Sequence, residues 1–417
     1  MSTENQMALA PYRVLDLTDK NGWMAGKMLG DLGADVIKIE KPGGDPDRKI
    51  GPFYHDISDP EKSLLWFAYN TSKRGITLDI TTVEGADIFK KLAKKAHFII
   101  ESFRPGYLSE LYLGYSEISN FNPGIIMTSI TPFGQTGPYK NFKASDIVSL
   151  AMGGVMYHMG DPDRPPVRFS VEQTYAQAGA QAVVGTLIAH YYRLRTGNGQ
   201  HVDVSMQEAI AFVAYMSPAY WELEKDVFLR AGAKMFRGRD LPMRQIIYPC
   251  KDGYVCWQFL TSVQGDKTKA LVDLMDSHGM APEFLKEVDF MSLNFEDVRQ
   301  EDLEKWEEPI ARFFLMHTRE TLGQEAKKRG ILLFPINDIK DIVKSPQLSF
   351  RQFWQTVEHP EIGASITYPG ICWHSNESTP RIGCRAPLVG EHNEHIYIDE
   401  LGLSKDDLDS LSRKGII

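Results

Sequence analysis

The sequence predicts an α/β protein whose large domain is a doubly wound, Rossmann-like parallel sheet. Short apolar strands alternate with helices between residues 12 and 131, which is the pattern of a parallel sheet with helices on both faces. At 417 residues the chain exceeds what one hydrophobic core normally holds, so we expect more than one domain. Its content of 43% hydrophobic and 24% charged residues is typical of a globular protein.

The elements of this sheet follow one another closely along the chain. A strand at 12–18, a helix at 23–34 and a strand at 35–40 form the first β-α-β unit, and Gly33 stands where the helix gives way to the second strand. The same alternation continues with a strand, a helix and two strands at 75–80, 83–96, 97–102 and 124–131. Parallel strands joined by helices therefore account for the first third of the chain.

The pattern changes in the middle of the chain and returns near its end. Residues 145–222 are rich in alanine and glycine and are predicted to be helical, whereas 240–330 mixes two strands around a "KDG" turn with amphipathic helices. The earlier apolar pattern resumes at 330–343. We therefore predict a large domain built from residues 1–222 and 331–417, with a small α+β domain inserted at 223–330.

Charge and composition exclude several classes of function. A net charge of −9 argues against a nucleic-acid or anionic-membrane partner. No apolar run approaches the ~18–20 residues of a spanning helix, and the N-terminus lacks the pattern of a signal peptide, so a cytoplasmic protein is expected. His392 and His395 have no third ligand at a clear spacing, so no metal is expected. The glycines of "NGWMAGKMLGDLG" lack dinucleotide-binding spacing and are attributed to helix–sheet packing.

Basic residues form three clusters, each near the end of a predicted strand or just before the next one. The carboxyl edge of an open α/β sheet is where ligands bind, and clustered Lys and Arg suit a ligand with several phosphates. These clusters predict such a ligand, and their members are Lys38, Lys41, Arg48, Lys49, Lys73, Arg74 and Arg104.

Several stretches together resemble the class III coenzyme A transferases, the family of the formyl-CoA and carnitine-CoA transferases. They are "LGDLGADVIKIEKPGGDPDR", "NTSKRGITLDI", "IESFRPGYLSELYLGY", "RLRTGNGQHVDVSMQEA" and "RAPLVGEHNEHIYIDELGLS", in the family's order. The resemblance implies a large doubly wound domain plus a small one, and two chains interlocked like links. It also implies coenzyme A or acyl-CoA as a substrate, with no tightly bound cofactor.

By this resemblance, a set of residues is expected to hold the phosphates and pantetheine of CoA, with Met206 beside the thiol arm. The set is Lys41, Ser72, Lys73, Ser102, Phe103, Arg104, Lys143 and Met206. Glu110 stands where many members have an arginine, which puts one phosphate contact in doubt.

The chemistry of the family needs a carboxylate nucleophile. It takes the acyl group from the donor thioester as a mixed anhydride, then becomes an enzyme-CoA thioester that the acceptor acid resolves. Counting back from Arg195 without gaps places the family's aspartate on Tyr175. A phenol with a pKa of ~10 is mostly protonated at neutral pH and cannot replace it. The related racemases use a histidine where this chain has Ser145, so racemase activity is not expected.

Three functions remain open. The leading hypothesis is a transferase subunit without its own nucleophile, paired with a homologous chain that carries the aspartate in a heterodimer or heterotetramer. Within the family it is similar to a heteromeric branch in which one subunit lacks that residue. The second is a self-sufficient transferase that uses Glu172, three residues before Tyr175. The third is a CoA-binding or scaffolding protein without catalysis.

Overall fold

The computed structural model describes residues 7–235 and 241–417 and divides the chain into two compact units. The first contains the chain up to Gly154, together with Phe169–Ala214 and Pro346–Ile417. The second contains Val155–Arg168 and Tyr215–Ser345. These limits differ from the expected insertion at 223–330, and the division into folding domains stays a prediction.

A six-stranded parallel sheet forms the centre of the first unit, in the spatial order β3-β2-β1-β4-β5-β6. The strands are β1 (Arg13–Leu17), β2 (Asp35–Glu40), β3 (Lys73–Thr77), β4 (Phe98–Glu101), β5 (Ile126–Thr131) and β6 (His201–Ser205). The order reverses at β1, as in a doubly wound fold. The predicted fold class is confirmed.

Helices cover both faces of this sheet. They are α1 (Trp23–Asp31), α2 (Leu64–Tyr69), α3 (Val83–Lys94), α4 (Tyr107–Glu110), α5 (Tyr115–Ser119), α6 (Asp146–Met152), α7 (Thr174–Thr196) and α8 (Met206–Val213). Successive residues of a strand point to opposite faces of the sheet, so neighbouring side chains of β1 pack against different layers of helices. Leu15 packs in a core with residues of α3, whereas Val14 packs in another with residues of α1 and α7.

Strand β6 falls inside the region that was predicted to be helical from 145 to 222. Its first three residues, His201–Asp203, are exposed or half-buried, and only its last two are buried. An edge strand with a solvent-exposed side lacks the continuous apolar run that is typical of a buried parallel strand. The prediction for this segment was therefore wrong.

Strand β3 also differs from its predicted position at 75–80, since it begins at Lys73 and ends at Thr77. Leu78 and Ile80 are buried, but they follow the strand. They lie beyond the carboxyl end of β3, at the carboxyl edge of the sheet.

The second unit has its own helical core and two antiparallel sheets, one of three strands and one of two. Its strands are β7 (Lys234–Met235), β8 (Arg244–Gln245), β9 (Ile247–Cys250), β10 (Gly253–Trp257) and β11 (Leu333–Pro335), and its helices are α9 (Met216–Glu224), α10 (Gly265–Ser277), α11 (Glu283–Lys286), α12 (Gln300–Leu315), α13 (Arg319–Arg329) and α14 (Ile339–Val343). The "KDG" turn joins β9 to β10 as predicted. Because β11 pairs with β10, residues 330–343 belong to this unit rather than to the returning segment.

The C-terminal segment completes the first unit. It contains α15 (Pro346–Phe350), the hairpin of β12 (Trp354–His359) and β13 (Ala364–Pro369), a π-helical turn at His395–Glu400, and α16 (Lys405–Arg413). Within the described ranges, no helix combines the length and apolar character that a membrane crossing requires.

Candidate functional site

A cavity of about 270 Å³ opens at the carboxyl ends of β1, β2 and β3, and we call it the carboxyl-edge cavity. Its lining is Leu17, Thr18, Asp19, Lys38, Ile39, Glu40, Lys41, Asp45, Pro46, Leu78, Asp79, Ile80, Ser102, Phe103 and Tyr107. The rings of Phe103 and Tyr107 lie 4.8 Å apart. An apolar and aromatic wall beside the exposed Lys41 suits a flat ring that carries anionic groups.

Asp19 and Ser102 join the ends of β1 and β4 at this cavity. The Ser102 hydroxyl donates to Asp19 Oδ1 at 2.7 Å and accepts from the Asp19 N–H at 2.8 Å. Burial raises the pKa of the Asp19 carboxyl, although the bond from Ser102 opposes the shift. The hydroxyl of Ser102 therefore fixes the rim of the cavity.

Three of the predicted CoA-binding residues line this cavity: Lys41, Ser102 and Phe103. Arg104 lies beside it, with its guanidinium 5.4 Å from the ring of Tyr107, but it forms a two-pronged ion pair with Glu110. Glu110 thus holds the guanidinium of Arg104 in an ion pair.

The other predicted residues lie apart from this cavity. Lys143 is exposed in the loop before α6, and Met206 is buried as the first residue of α8. Ser72 is 9% exposed, has a φ of 62°, and donates to Asp31 Oδ1 at 2.5 Å. Since Ser72 precedes β3, it belongs to the amino edge of the sheet.

Lys73 is a structural lysine buried beneath α1. Its ammonium donates to Asp16 Oδ2 at 2.8 Å, to Asn70 Oδ1 at 2.8 Å and to the carbonyl of Trp23 at 3.0 Å. Burial lowers its pKa to about 8, although Asp16 opposes the shift. An ammonium with all three protons engaged and 1% exposure does not reach a phosphate.

Four residues of the predicted basic clusters bind carboxylates or carbonyls inside the fold, although Lys38 also lines the carboxyl-edge cavity. Lys38 is buried with Asp16 and the carbonyl of Thr18, and Arg48 is buried with Glu40. Arg74 pairs with Asp35 and Glu400. These three cations and Lys73 therefore form ion pairs with carboxylates of the protein itself, because a buried charge needs a partner.

Sequence reasoning missed the segment Leu78–Ile80 as part of the candidate site. Its three residues line the carboxyl-edge cavity directly after β3. The signal was available, since residues that follow a parallel strand lie at the ligand-binding edge. It was overlooked because the strand itself was placed at 75–80.

A second cavity, of about 540 Å³, is lined by Tyr175, and we call it the Tyr175 cavity. Its lining is Lys20, Trp23, Met24, Ile50, Gly51, Leu65, Tyr69, Ser170, Val171, Glu172, Gln173, Tyr175 and Ala176. Most of this wall is apolar or aromatic. Lys20 and Glu172 are the charged residues among those that line it.

Tyr175 is the second residue of α7 and is 9% exposed. Its hydroxyl oxygen accepts a hydrogen bond from the Asp146 N–H at 3.1 Å. Burial, reinforced by the charge of Glu172, raises the pKa of Tyr175 to about 12. The phenol is therefore neutral at physiological pH.

Asp146 is a carboxylate beside Tyr175 that sequence reasoning passed over. Its Oδ1 accepts from the N–H groups of Gln173 and Thr174, each at 2.9 Å. These contacts satisfy free donors at the start of α7 and complement the helix dipole. Asp146 thus fixes the helix end that presents Tyr175.

Glu172 lies in the irregular segment before α7 rather than on the helix itself. Its Oε1 is 3.3 Å from the ammonium of Lys20, and the two side chains are 41% and 27% exposed. The same ammonium lies 5.4 Å from the centre of the Tyr175 ring. The Tyr175 cavity therefore contains one solvent-accessible ion pair, set beside a phenol.

The model of CoA-transferase family III matches residues 9–393 of the chain. The chain belongs to this family. The succinyl-CoA:(R)-benzylsuccinate CoA-transferase subunit BbsE of Thauera aromatica is 35% identical to this class III CoA-transferase chain, over 97% of each sequence. The succinyl-CoA–D-citramalate CoA-transferase of Chloroflexus aurantiacus is 32% identical over 98% of each.

A solved structure supports the same relationship. A CAIB/BAIF family protein from Brucella suis superimposes with a TM-score of 0.82 at 26% identity, covering 94% of this chain and 99% of that one. The resemblance stated from the sequence motifs is confirmed, and the protein is a CoA-transferase, an enzyme that acts on CoA thioesters.

The histidines of the "GEHNEH" segment in this CoA-transferase have local partners. His392 Nδ1 accepts from the Gly75 N–H at 3.1 Å, and His395 lies 3.0 Å from Asp399. Across the part of the chain that the structure describes, no group of three His, Cys, Asp or Glu residues is arranged to hold a metal ion.

Proposed function

We propose that this chain is a subunit of a heteromeric class III CoA-transferase that lacks its own nucleophile. A homologous subunit supplies the aspartate, in an interlocked heterodimer or heterotetramer. The proposal rests on Tyr175, which the count back from Arg195 places where the family carries its aspartate. Its phenol is held neutral by burial, with a pKa of about 12.

In this proposal the partner's carboxylate does the covalent work. One of its oxygens attacks the donor's thioester carbonyl, and CoA leaves as the thiolate. The thiolate then attacks the aspartyl carbon of the mixed anhydride, releasing the donor acid and leaving an enzyme-CoA thioester. The acceptor's carboxylate attacks the carbonyl of this thioester, which expels the CoA thiolate and forms a second anhydride. The thiolate then attacks the acceptor's acyl carbon, which gives the new acyl-CoA and frees the aspartate. Each step exchanges activated acyl groups of similar energy, which a phenol does not provide.

The carboxyl-edge cavity supports a binding site for CoA in this chain. The adenine would lie against Phe103, Tyr107 and the apolar Leu78 and Ile80, with Lys41 facing phosphate. Arg104 would join it once its bond to Glu110 opens. Lys143 and Met206 are carried into the proposal by the family resemblance, whereas Ser72 and Lys73 are left out because both are engaged inside the fold.

The substrates in the proposal are succinyl-CoA and (R)-benzylsuccinate. The first support is the name of the 35%-identical Thauera aromatica subunit, which gives this donor and acceptor. The second is the Tyr175 cavity, whose Trp23, Tyr69 and Tyr175 would face the phenyl ring of such an acid.

Co-expression with a homologous subunit that carries the aspartate tests the proposal. We expect a mixed assembly with equal amounts of both chains and transfer of CoA from succinyl-CoA to (R)-benzylsuccinate. Changing the partner's aspartate to Asn should abolish activity, whereas Tyr175→Phe in this chain should leave most of it, since only one hydrogen bond is lost. A partner that is fully active as a homomer, indifferent to this chain, would rule the proposal out.

A self-sufficient transferase is the second candidate, because the Glu172 carboxylate lines the Tyr175 cavity. It predicts turnover by the purified chain alone, loss of that turnover in Glu172→Gln, and an acyl-hydroxamate trapped at this residue. CoA binding without turnover, alone or with any partner, would instead favour a scaffold.

A further inference from the structure

We infer that the Tyr175 cavity is a binding site for a carboxylic acid with an apolar, preferably aromatic body, in which Lys20 binds the ligand's carboxylate and Glu172 occupies that place when the site is empty. The inference rests on the proposed function, in that it treats the cavity as an acid site without a nucleophile. It adds the group that recognises the acid and the side chain that competes with it.

The ammonium of Lys20 is the first element of the site. The backbone of Lys20 is fixed, since its N–H donates to Asp47 Oδ2 at 3.1 Å. The side chain of Lys20 lines the cavity. Among the described residues that line the cavity, Lys20 is the cation. A carboxylate that enters therefore meets one charge of the opposite sign.

Tyr175 provides this ammonium with a neutral neighbour. The Lys20 Nζ lies 5.4 Å from the centre of the aromatic ring, within the range of a cation–π contact. An aspartate at this position would compete for the ammonium. With a neutral phenol there, the charge of Lys20 remains available to a ligand.

Glu172 is placed to act as the internal substitute for a ligand. Its carboxylate lies 3.3 Å from the Lys20 ammonium, is 41% exposed, and is carried by an irregular segment. An ion pair this exposed is weak and exchanges readily with another carboxylate. A ligand thus needs only to displace one side chain.

The rest of the wall defines the body of the acid. Trp23 is 1% exposed, and Met24, Ile50 and Leu65 add apolar surface. The volume of about 540 Å³ falls within the size of small-molecule sites, at roughly 300–1,000 Å³. A short acid without an apolar body would leave most of this wall in contact with water.

Calorimetry on the purified full chain, without a partner whose own site would contribute, tests the inference. The probes are benzylsuccinate, succinate, and the benzylbutanediol that keeps the skeleton without carboxylates. We expect benzylsuccinate to bind more tightly than succinate and the diol not to bind. Glu172→Gln should tighten benzylsuccinate at least fivefold, since it frees Lys20. Lys20→Met should weaken it at least tenfold, whereas Lys20→Arg should retain it.

Lys269→Met and Asp273→Asn on α10 are matched controls, because they break an exposed ion pair of 3.0 Å elsewhere. Both should bind as the wild type does. No binding by the wild type, unchanged affinity in Lys20→Met, or weaker binding in Glu172→Gln would each overturn the inference. Because binding is measured on the lone chain, its failure is separate from that of the proposed heteromer, which assembly and turnover decide.

Discussion

Asp16 shows how single residues hold this fold together. The carboxylate has 0% exposure and faces two lysines, with Lys73 at 2.8 Å and Lys38 at 3.7 Å. Burial alone would raise its pKa, but the two ammonium groups lower it. The sequence placed Lys38 and Lys73 among the candidate phosphate ligands. In the structure they instead stabilise β1 by pairing with its buried Asp16.

Lys73→Met is expected to destabilise the protein by about 3–5 kcal/mol, because it leaves a buried carboxylate short of a partner. Lys41→Met, on the exposed side of the carboxyl-edge cavity, should leave stability unchanged and weaken CoA binding by about tenfold. Urea denaturation and calorimetry measure the two effects. Equal stability of both variants would contradict the structural role of Lys73.

Glu101, at the end of β4, is a buried acid whose ionisation opposes folding. It is 5% exposed, accepts from the Phe103 N–H at 2.7 Å, and has its pKa raised by burial to about 7. The folded protein therefore holds this proton between about pH 4.5 and 7, where the unfolded chain releases it.

The pH dependence of stability follows from that difference. We compare the free energy of unfolding of the wild type with that of Glu101→Gln. The difference should favour the wild type most below pH 4.5, and it should fall by on the order of 3 kcal/mol as the pH rises through 7. Urea denaturation of both proteins from pH 4.5 to 8 measures it. A difference that does not vary with pH would refute the assignment.

At the scale of elements, α1 lies unusually close to the strands beneath it. A Cβ added at Gly26 would stand 2.1 Å from Asp16 Oδ2 and 2.9 Å from Lys73 Nζ, and one at Gly30 would stand 2.5 Å from the carbonyl oxygen of Ser72. The packing interpretation is supported at Gly26 and Gly30. The glycines allow the buried charges to lie directly under the helix.

Gly26→Ala is expected to destabilise the protein by about 1–3 kcal/mol through overpacking. Helix propensity alone predicts the opposite sign, a stabilisation of up to ~1 kcal/mol. Urea denaturation distinguishes the two, with helix content followed by circular dichroism. A stabilised variant would show that the buried charges shift at little cost.

At the scale of the whole first unit, the C-terminal segment protects an edge of the sheet. Strand β3 is terminal in the sheet, and its outward groups find partners 316–320 residues away: Asn393 Oδ1 accepts from the Thr77 N–H at 2.9 Å, and the Tyr397 hydroxyl donates to the Thr77 carbonyl at 2.6 Å. An unpaired edge would invite aggregation. The two ends of the chain thus form one sheet boundary.

Asn393→Ala should destabilise the protein by about 1–3 kcal/mol, because the Thr77 N–H is left without an acceptor. Asn376→Ala, at an exposed position, is the control and should change little. Urea denaturation, with light scattering to detect association through β3, provides the measurement. Equal stability of the two variants would mean that water replaces the Asn393 side chain.

The sequence by itself determined the alternation of strands and helices and the family, and it predicts that Tyr175 stands in the nucleophile's place. These are local features: an apolar run, a motif such as "NTSKRGITLDI", or a single residue at a fixed offset from Arg195. Strand β6 was missed because its exposed side removes the apolar run, and the pairing of β11 with β10 was not predicted because the two strands are distant in the chain.

Only the tertiary structure decided which charges are free. Lys41 and Lys73 look alike in the sequence, yet one faces an open cavity and the other is buried against Asp16, 57 residues away. The ion pair of Lys20 with Glu172, 152 residues away, likewise depends on how distant loops meet. A charge takes its role from its desolvation and its nearest counter-charge, and folding sets both.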